Sequence, residues 1–259
     1  MISVVQLGTI DYATGLDLQR KLAELCHAGR ISAVLLLLEH TPVITLGRNA
    51  NRTNILAAPQ ALARAGVEVF DCDRGGDVTY HGPGQLVGYP IFDLRSFLGP
   101  DGQPKTIGAV EYVRRLEEAL IRTCADFGVA TGRVPKLTGV WTQSAAGQQA
   151  KIAAIGVHIS RGITSHGFAL NVSTDLDHFK FIVPCGIATK PVTSLSKERG
   201  ALVELDEVAE SAARNFGRVF NSQILWLQTL DALLGQSVGV PMKAPREIRH
   251  LHDDEAFWV

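Results

Sequence analysis

The hydrophobic residues in the first part of the chain form short runs separated by polar or glycine-containing turns. The runs Val4–Leu7, Ile31–Glu39 and Val43–Leu46 are rich in β-branched residues or leucine, which predicts buried strands. Between the first two, Thr14–Ala28 has apolar positions at helical spacing, and Gly29 can end that helix. The pattern therefore predicts that the chain begins as strand, helix, strand.

The middle of the chain combines a glycine-rich turn with a long amphipathic segment. Val67–Phe70 predicts a strand, the turn 73–77 follows it, and the apolar segments up to Leu94 predict a hairpin. Ala109–Phe127 carries apolar residues on one side and Glu and Arg on the other, which predicts a helix. Cys124 lies on the apolar stripe of that helix, so we expect it in the core.

Three further runs and a helical region complete the pattern. Gly139–Thr142, Lys151–Ile159 and Gly167–Val172 are strand-like and joined by polar connectors, which is typical of antiparallel, meandering strands. Asp206–Leu230 contains two apolar stretches at helical spacing, so we expect two helices there.

Strands and helices are mixed along the chain without strict alternation, which favours the α+β class with a mixed sheet flanked by helices. No internal repeat and no linker divides the sequence. We therefore expect one catalytic domain over residues 1–235, including C-terminal helices. We expect the Pro-bearing, charged segment 236–259 to be a loose or disordered tail.

Composition and charge exclude several classes of protein. The 259 residues are 46% hydrophobic and 20% charged, which suits a globule with a large core. A net charge of −1 argues against electrostatic binding of nucleic acid by the chain as a whole. The longest apolar run, Ala33–Leu38, is far shorter than the roughly 20 residues that a membrane helix needs. Met1–Gly15 has no Lys or Arg and so lacks the basic start of a secretory signal, which predicts a cytoplasmic protein.

Common metal and nucleotide motifs are missing from the sequence. The four cysteines form no C-x-x-C pair, so neither a disulfide framework nor a zinc site is favoured, and we expect no metal. A Gly-Lys dipeptide does not occur, which excludes the phosphate-binding loop of many ATPases. Gly82–Gly88 has the wrong glycine spacing for dinucleotide binding. We therefore expect no cofactor.

A cysteine and a lysine stand out as candidates for nucleophilic chemistry. Cys185 lies between Pro184 and Gly186, which would leave its sulfur accessible, although it can equally be a small buried hydrophobe. Lys151 precedes four apolar residues of a predicted strand, where desolvation would favour the neutral amine. Such a lysine can act as an acid and base beside a thiol, but it can also be a strand-end lysine in water.

Other polar groups are weaker candidates on their own. Arg74 is followed by two glycines, which would let a ligand approach the backbone closely. Such a glycine-rich turn is most often a simple hairpin. His81, His158, His166 and His178 can each be a general base or a structural histidine.

One long stretch and several shorter motifs together resemble a known family. Arg74–Tyr89 reads RGGDVTYHGPGQLVGY and is similar to the pattern R-G-G-x-x-T-aromatic-H-x-x-G-Q-x-x-x-Y of the lipoyl(octanoyl) transferases. The resemblance covers roughly residues 1 to 220. Further matches, in the order of the family, are Gly47-Arg48, Gly139-Val140-Trp141, Lys151-Ile152-Ala153-Ala154-Ile155-Gly156, Gly167-Phe168-Ala169-Leu170-Asn171 and Pro184-Cys185-Gly186.

The resemblance implies a fold like that of the biotin and lipoate protein ligases. It also implies an acyltransferase that moves an octanoyl (or lipoyl) group from acyl carrier protein to a lysine of a lipoyl domain, the first step of endogenous protein lipoylation. The acceptors would be lipoyl domains of 2-oxoacid dehydrogenase complexes and the glycine cleavage H protein. The enzyme would need no nucleic acid, membrane or cofactor, and we expect a monomer.

The resemblance also assigns roles to residues. Cys185 would carry the acyl group as a thioester, and Lys151 would be its acid/base partner. The residues expected to line the acyl site are Arg74, Gly75, Gly76, Asp77, Val78, Thr79, Tyr80, His81, Ala154, Ile155, Gly156, Gly167, Phe168 and Ala169.

Three alternatives remain open at the level of sequence. An ATP-dependent lipoate or biotin ligase would share the fold, but it has no need of a nucleophilic thiol. A binding module without catalysis would have no need of either Cys185 or Lys151. A Cys/His hydrolase would use water as the acyl acceptor. For docking of an acidic carrier, exposed Arg48 or Arg52 are candidates.

Overall fold

A computed structural model of the chain describes residues 1–97, 99, 102–103, 105–142, 148–186, 190–234 and 256–258. The strands are β1 (Ile2–Ile10), β2 (Ala33–His40), β3 (Val43–Leu46), β4 (Glu68–Asp71), β5 (Val78–His81), β6 (Gln85–Phe92), β7 (Thr131–Val134), β8 (Leu137–Thr142), β9 (Lys151–Ser160), β10 (Ile163–Asn171), β11 (Ile224–Trp226) and β12 (Ala256–Trp258). The helices are α1 (Tyr12–His27), α2 (Pro59–Arg64), α3 (Ala109–Asp126), α4 (Leu195–Arg199), α5 (Leu205–Phe220) and α6 (Asp231–Leu234).

The strands form one large mixed sheet and one small sheet. The order in the large sheet is β12, β11, β1, β2, β6, β10, β9, β8, β7, and in the small sheet it is β4, β3, β5. Strands β1 and β2 are parallel around α1, whereas β6, β10, β9 and β8 pair antiparallel. The predicted strand, helix, strand start and the predicted antiparallel meander are both confirmed.

The large sheet is covered by helices on both faces. Leu35 and Leu37 pack in a core with α3 and α5, whereas Leu36 and Leu38 pack in a second core with α1. This alternation is the two-residue period of a strand that is buried on both sides. Cys124 lies fully buried in the first core, as predicted. The α+β class with a mixed sheet flanked by helices is confirmed.

A third core fixes the small sheet over the part of the molecule that holds the site. It contains Ile44 of β3 and Val78 and Tyr80 of β5, packed against Phe179 and Ile182. Those last two residues belong to the segment that leads to Cys185. The small sheet and the cysteine loop are therefore held together by a shared apolar contact.

Two predictions of local structure are wrong. Strands β5 and β6 do not form a hairpin, because β5 pairs with β3 while β6 pairs with β2 and β10. Ile224–Trp226, expected to be helical, is a strand parallel to β1. A run of three apolar residues carries no period, so only pairing with β1 decides its structure. The sequence pattern also missed α2, β7, α4 and α6.

The C-terminal segment lies mostly outside the described residues, which here include only Ala256–Trp258. These three residues form β12, which pairs parallel with β11. Within the described part of the chain, no helix is both long and apolar enough to cross a membrane.

Candidate active site

A cavity of about 280 Å³ lies between the face of β9 and β10 and the loop that precedes β5. Its size is just below the roughly 300–1,000 Å³ typical of ligand pockets, so it suits a small ligand. Most of its walls are apolar side chains or backbone. Its lining residues are Tyr12, Arg74, Gly75, Gly76, Asp77, Thr79, His81, Val87, Tyr89, Lys136, Leu137, Thr138, Lys151, Ala154, Ile155, Gly156, His166, Gly167, Phe168, Ala169 and Cys185.

The cavity brings the candidate nucleophile and the candidate base into contact. Lys151 Nζ donates a hydrogen bond to Cys185 Sγ over 3.2 Å, although the two residues are 34 positions apart. Lys151 is only 7% exposed, whereas Cys185 is half-buried and lies in the cavity wall. An ammonium at this distance can stabilise the thiolate, which is the reactive form of a cysteine.

The backbone of Lys151 is held from two sides, by the segment 191–193 and by β8. Its backbone N–H donates to the carbonyl of Pro191 over 2.9 Å, and its carbonyl accepts from the N–H of Thr193 over 2.9 Å. The register of β8 on β9 shifts between Val140 and Trp141, so that Trp141 lies opposite Lys151. Such a bulge re-aims the side chains of a strand.

Trp141 also contacts the ammonium of Lys151 directly. Lys151 Nζ lies 4.8 Å from the centroid of the indole ring, and Lys190 Nζ lies 5.7 Å from it. The buried indole therefore attracts both cations through its π face. Lys190 is further held by Gln149, whose side-chain oxygen accepts a hydrogen bond over 2.8 Å.

Cys185 is held in an unusual backbone conformation. Its φ of 54° and ψ of 24° lie in the left-handed region, which non-glycine residues rarely occupy. Gly186, which follows it, has a φ of 68°. Conformations of this kind persist where the surrounding structure imposes them, and they cluster at functional sites.

Arg74 shapes the wall of the cavity opposite the sheet. Its guanidinium donates to the hydroxyl of Thr45 from Nε over 3.1 Å and from Nη2 over 2.8 Å, and to the carbonyl of Thr45 over 2.6 Å. Nη1 donates to the carbonyl of Gly75 over 3.1 Å. The buried cation therefore organises the loop itself through neutral acceptors.

The surroundings of His81 argue against a role as general base. Gln85 uses its N–H₂ group toward Asn171 and the carbonyl of Tyr80, so its oxygen accepts from His81 Nδ1 over 2.8 Å. Nε2 of His81 then accepts from the hydroxyl of Thr45 over 3.4 Å. Burial lowers the pKa of His81 to about 3, with the neighbouring His40 adding to the effect. His81 is a neutral structural histidine.

A second buried histidine, His40, contacts three residues of the cavity wall, Tyr12, His81 and Tyr89. His40 Nδ1 donates to the carbonyl of Ile10 over 3.0 Å, so its Nε2 accepts from the hydroxyl of Tyr89 over 2.6 Å. Burial lowers the pKa of His40 to about 4, and burial also raises the pKa of Tyr89. The ring of Tyr12 stacks on His81 at 6.2 Å and contacts His40 edge-on at 5.2 Å. This wall is therefore aromatic and uncharged.

His166 connects the cavity to the loop before Arg74. Its Nε2 donates to a carboxylate oxygen of Asp73 over 2.7 Å, and its φ of 55° is also left-handed. Burial lowers the pKa of His166, and this effect outweighs the Asp73 carboxylate, which raises that pKa. His158 lies near the same residue, with Nδ1 3.3 Å from the carbonyl of Asp73, while His178 stacks on Tyr80 at 5.0 Å outside the cavity.

The structure brings most of the expected site residues together. Val78 and Tyr80 are the exceptions, because successive side chains of β5 point to opposite faces and these two lie in the third core. The residues expected at the site that do line the cavity are Arg74, Gly75, Gly76, Asp77, Thr79, His81, Lys151, Ala154, Ile155, Gly156, Gly167, Phe168, Ala169 and Cys185.

Some lining residues were not found from sequence. Tyr12 lies at the start of α1, Lys136 lies in the turn between β7 and β8, and Leu137 and Thr138 begin β8. None of these four positions belongs to a motif recognised in the sequence. The positive φ of 66° at Lys136 is a signal that only the structure reveals.

The two arginines proposed for carrier docking differ in the structure. Arg52 pairs with Asp71 at 2.6 Å on the surface, whereas Arg48 is exposed and forms no salt bridge with any described residue. Within the described residues, no group of three or more His, Cys, Asp or Glu is placed to hold a metal ion.

Comparisons with known proteins show the family to which the chain belongs. Residues 11–217 match the lipoyl protein ligase A/B catalytic domain, so the chain belongs to that family. The octanoyltransferase of Koribacter versatilis is 58% identical over 98% of this chain and 98% of its own length. The octanoyltransferase of Acidobacterium capsulatum is 60% identical over 90% of this chain and 96% of its own length. The resemblance to the lipoyl(octanoyl) transferases is confirmed.

Solved structures confirm the predicted lipoate-ligase-like fold. A bi-partite lipoate protein ligase from Thermoplasma acidophilum, described with its E2 lipoyl domain, has a TM-score of 0.64 and 16% identity, covering 86% of this chain and 84% of its own. Lipoate-protein ligase A bound with ATP has a TM-score of 0.59 and 14% identity, covering 86% and 85%.

Proposed function

We propose that this protein is an octanoyltransferase that acts through a thioester on Cys185. The observation that carries the proposal is the 3.2 Å contact between Lys151 Nζ and Cys185 Sγ in the wall of a largely apolar cavity. The cavity would hold the alkyl chain while its carbonyl carbon lies at the sulfur. The curated relatives named octanoyltransferase support the same activity.

The reaction would proceed in two acyl transfers. In the first, the Cys185 thiolate attacks the thioester carbonyl of octanoyl acyl carrier protein, a new C–S bond forms, and the carrier thiolate leaves and takes a proton from Lys151. In the second, the ε-amine of the acceptor lysine attacks acyl-Cys185, the C–N bond forms, and the C–S bond breaks. Lys151 accepts the amine proton. Conversion of a thioester to an amide is downhill, so no ATP is needed.

Donor, acceptor and compartment are parts of the same proposal. The donor would be octanoyl acyl carrier protein, and the acceptors would be lipoyl domains, with exposed Arg48 a candidate contact for an acidic carrier. The four cysteines are free, which suits a reducing cytoplasm. We also propose that the protein acts as a monomer.

The structure bears differently on two of the three alternatives, the ligase and the hydrolase. An ATP-dependent ligase shares this fold, so the fold by itself does not separate the two activities. The lysine–cysteine contact favours the transferase, because adenylate chemistry has no use for a thiol. A Cys/His hydrolase is disfavoured because both ring nitrogens of His81 are occupied.

The proposal is tested by the intact mass of the pure protein after incubation with octanoyl acyl carrier protein and no ATP. We expect a gain of one octanoyl group that hydroxylamine removes and that Cys185→Ala lacks. Adding a lipoyl domain should then discharge the group onto that domain. Cys72→Ala is the matched control, because it removes another partly exposed cysteine and should leave the gain unchanged.

Two results would contradict the proposal. A gain that requires free octanoate and ATP would indicate a ligase. No gain under either condition would indicate a binding module.

A further inference from the structure

Asp77 joins two loops beside the nucleophile. Its Oδ1 accepts a hydrogen bond from the backbone N–H of Asn51 over 2.9 Å, and its Oδ2 accepts one from the side-chain amide of Asn54. Within the described part of the chain, this carboxylate has no salt bridge. Its two oxygens are thus occupied by neutral donors from one neighbouring loop, 51–54.

Loop 51–54 in turn holds the segment that carries Cys185. The carbonyl of Asn54 accepts from the N–H of Val183 over 2.7 Å. Ile55 pairs with Ile182 in an isolated antiparallel bridge. The N–H of Gly186 closes the turn by donating to the carbonyl of Val183 over 3.1 Å. The same residue, Asn54, therefore bonds Asp77 through its side chain and the cysteine segment through its backbone.

Asp77 also lies directly against the cysteine turn. A Cβ atom built on Gly186 would come within 2.9 Å of Asp77 Oδ2 and within 3.6 Å of Asn54 Nδ2. Cys185 has a left-handed backbone conformation, which in a non-glycine residue needs external contacts to persist. The carboxylate of Asp77 and the amide of Asn54 therefore both lie next to this turn.

We propose that Asp77 is a positioning residue that acts through Asn54 to hold Cys185 in the left-handed conformation that presents its sulfur to Lys151. This inference rests on the proposed function, because it assigns a role in the acylation of Cys185. Asp77 itself touches no reacting atom. The hydrogen bond between Asp77 and Asn54 joins a carboxylate to an amide. One substitution can therefore break it, and a second substitution that places the amide at 77 and the carboxylate at 54 can restore it.

The test begins with Asn54→Asp, which places two carboxylates at hydrogen-bond distance. At pH 8 both are charged and repel, so we expect Cys185 acylation to slow by about 10- to 100-fold, as for a misplacement of about 1 Å. As the pH falls toward 5.5 the pair can share a proton, and the bond can re-form. The rate of acylation relative to wild type should therefore recover as the pH falls.

The reciprocal exchange provides the rescue. Asp77→Asn combined with Asn54→Asp restores a carboxylate–amide bond with the charge on the other loop, and the oxygen of the new asparagine can still accept from the N–H of Asn51. We expect the double variant to acylate within about threefold of wild type at pH 8. Asn49→Asp is the matched control, because it adds the same charge to an exposed position just before loop 51–54, where Asn49 bonds Gly76 through its backbone N–H and its side chain has no hydrogen bond to any described residue.

A second readout separates this inference from the proposed function. Alkylation of Cys185 by iodoacetamide, followed on the Cys185 peptide by mass spectrometry, needs no acyl donor and reports how the thiol is presented. Slow alkylation in Asn54→Asp with rescue in the double variant would support the positioning role even if the wild type formed no octanoyl adduct. Wild-type rates in Asn54→Asp at every pH, or a double variant as slow as the single one, would overturn it.

Discussion

Thr45 is a single hydroxyl shared by two buried side chains of the site. It accepts from Arg74 Nε and Nη2 over 3.1 and 2.8 Å, and it donates to His81 Nε2 over 3.4 Å. The hydroxyl oxygen therefore accepts hydrogen bonds from a cation, and the hydroxyl group donates its proton to a neutral imidazole. Removing the hydroxyl leaves a guanidinium N–H and a ring nitrogen without partners in a buried region.

We therefore expect Thr45→Val to lower the free energy of unfolding by about 1–3 kcal/mol, the cost of a buried unsatisfied polar group. Thr45→Ser keeps the hydroxyl and should lose less than about 1 kcal/mol. Urea unfolding of both variants measures the difference. Equal losses would contradict this expectation, because they would show that the methyl group removed in Thr45→Ser contributes as much as the hydroxyl removed in Thr45→Val.

Lys151 differs from arginine in its ability to give up and regain a proton. Lys151→Arg would keep a cation near Cys185, but arginine stays protonated at any working pH. We expect the rate of octanoyl transfer to the acceptor to fall at least about 100-fold, the usual contribution of a general acid–base group. Single-turnover assays measure it. Near-normal transfer would show that Lys151 supplies only charge.

At the level of elements, helix α3 supports the hairpin that forms the rim of the cavity. Glu117 of α3 is fully buried, and its carboxylate accepts from Arg114 over 2.6 Å and from Arg133 of β7 over 3.0 Å. Its other oxygen accepts from the backbone N–H of Gly139 in β8 over 3.2 Å. One carboxylate therefore connects α3 to both strands of the hairpin.

Glu117→Ala should lower the free energy of unfolding by about 1–3 kcal/mol, because it leaves the buried N–H of Gly139 without its acceptor and removes a partner of two arginines. Glu118→Ala is the matched control. Glu118 is the next residue, pairs with Arg122 and Arg133, and is 33% exposed, so its loss should cost less than about 1 kcal/mol. Urea unfolding compares them. Similar losses would mean that solvent reaches the Glu117 cluster.

At the scale of the whole molecule, two neutral histidines are packed close together in the interior. The rings of His40 and His81 lie 6.0 Å apart, and burial lowers their pKa values to about 4 and about 3 from an ordinary value of 6.5. The unfolded chain binds protons at these residues near pH 6.5, whereas the folded chain does not. Protonation of the unfolded chain therefore lowers the free energy of unfolding as the pH falls from 6.5 toward 4, whereas above pH 6.5 these two histidines cost no stability.

From pH 7 to pH 5, each buried histidine should reduce the free energy of unfolding by about 2 kcal/mol. His40→Gln removes one of these groups and should flatten the pH dependence by that amount. His27→Gln removes an exposed histidine and should leave the slope unchanged. Urea unfolding at several pH values measures the slopes. An equal slope in wild type and His40→Gln would contradict the burial argument.

The hydrophobic pattern along the chain was sufficient to predict most helices and strands. It failed for segments that are too short to show a helical or strand periodicity. Ala109–Asp126 and Lys151–Ser160 are long enough to show their periods, and both were predicted. Ile224–Trp226 is too short, so its pairing with β1 decided its structure. The same limit explains why the sequence did not show that β5 and β6 pair with other strands and not with each other. The choice of partner strand depends on residues far away in sequence.

The sequence by itself determined which residue types the site contains: a cysteine between proline and glycine, a lysine that opens an apolar strand, and the segment from Arg74 to His81. Only the tertiary structure decided their arrangement. It brought Lys151 to Cys185, turned Val78 and Tyr80 away from the cavity, and joined Asp77 to Asn54. The physical reason is that periodicity and motifs report neighbours along the chain, whereas these contacts depend on how separate sheets and loops pack in space.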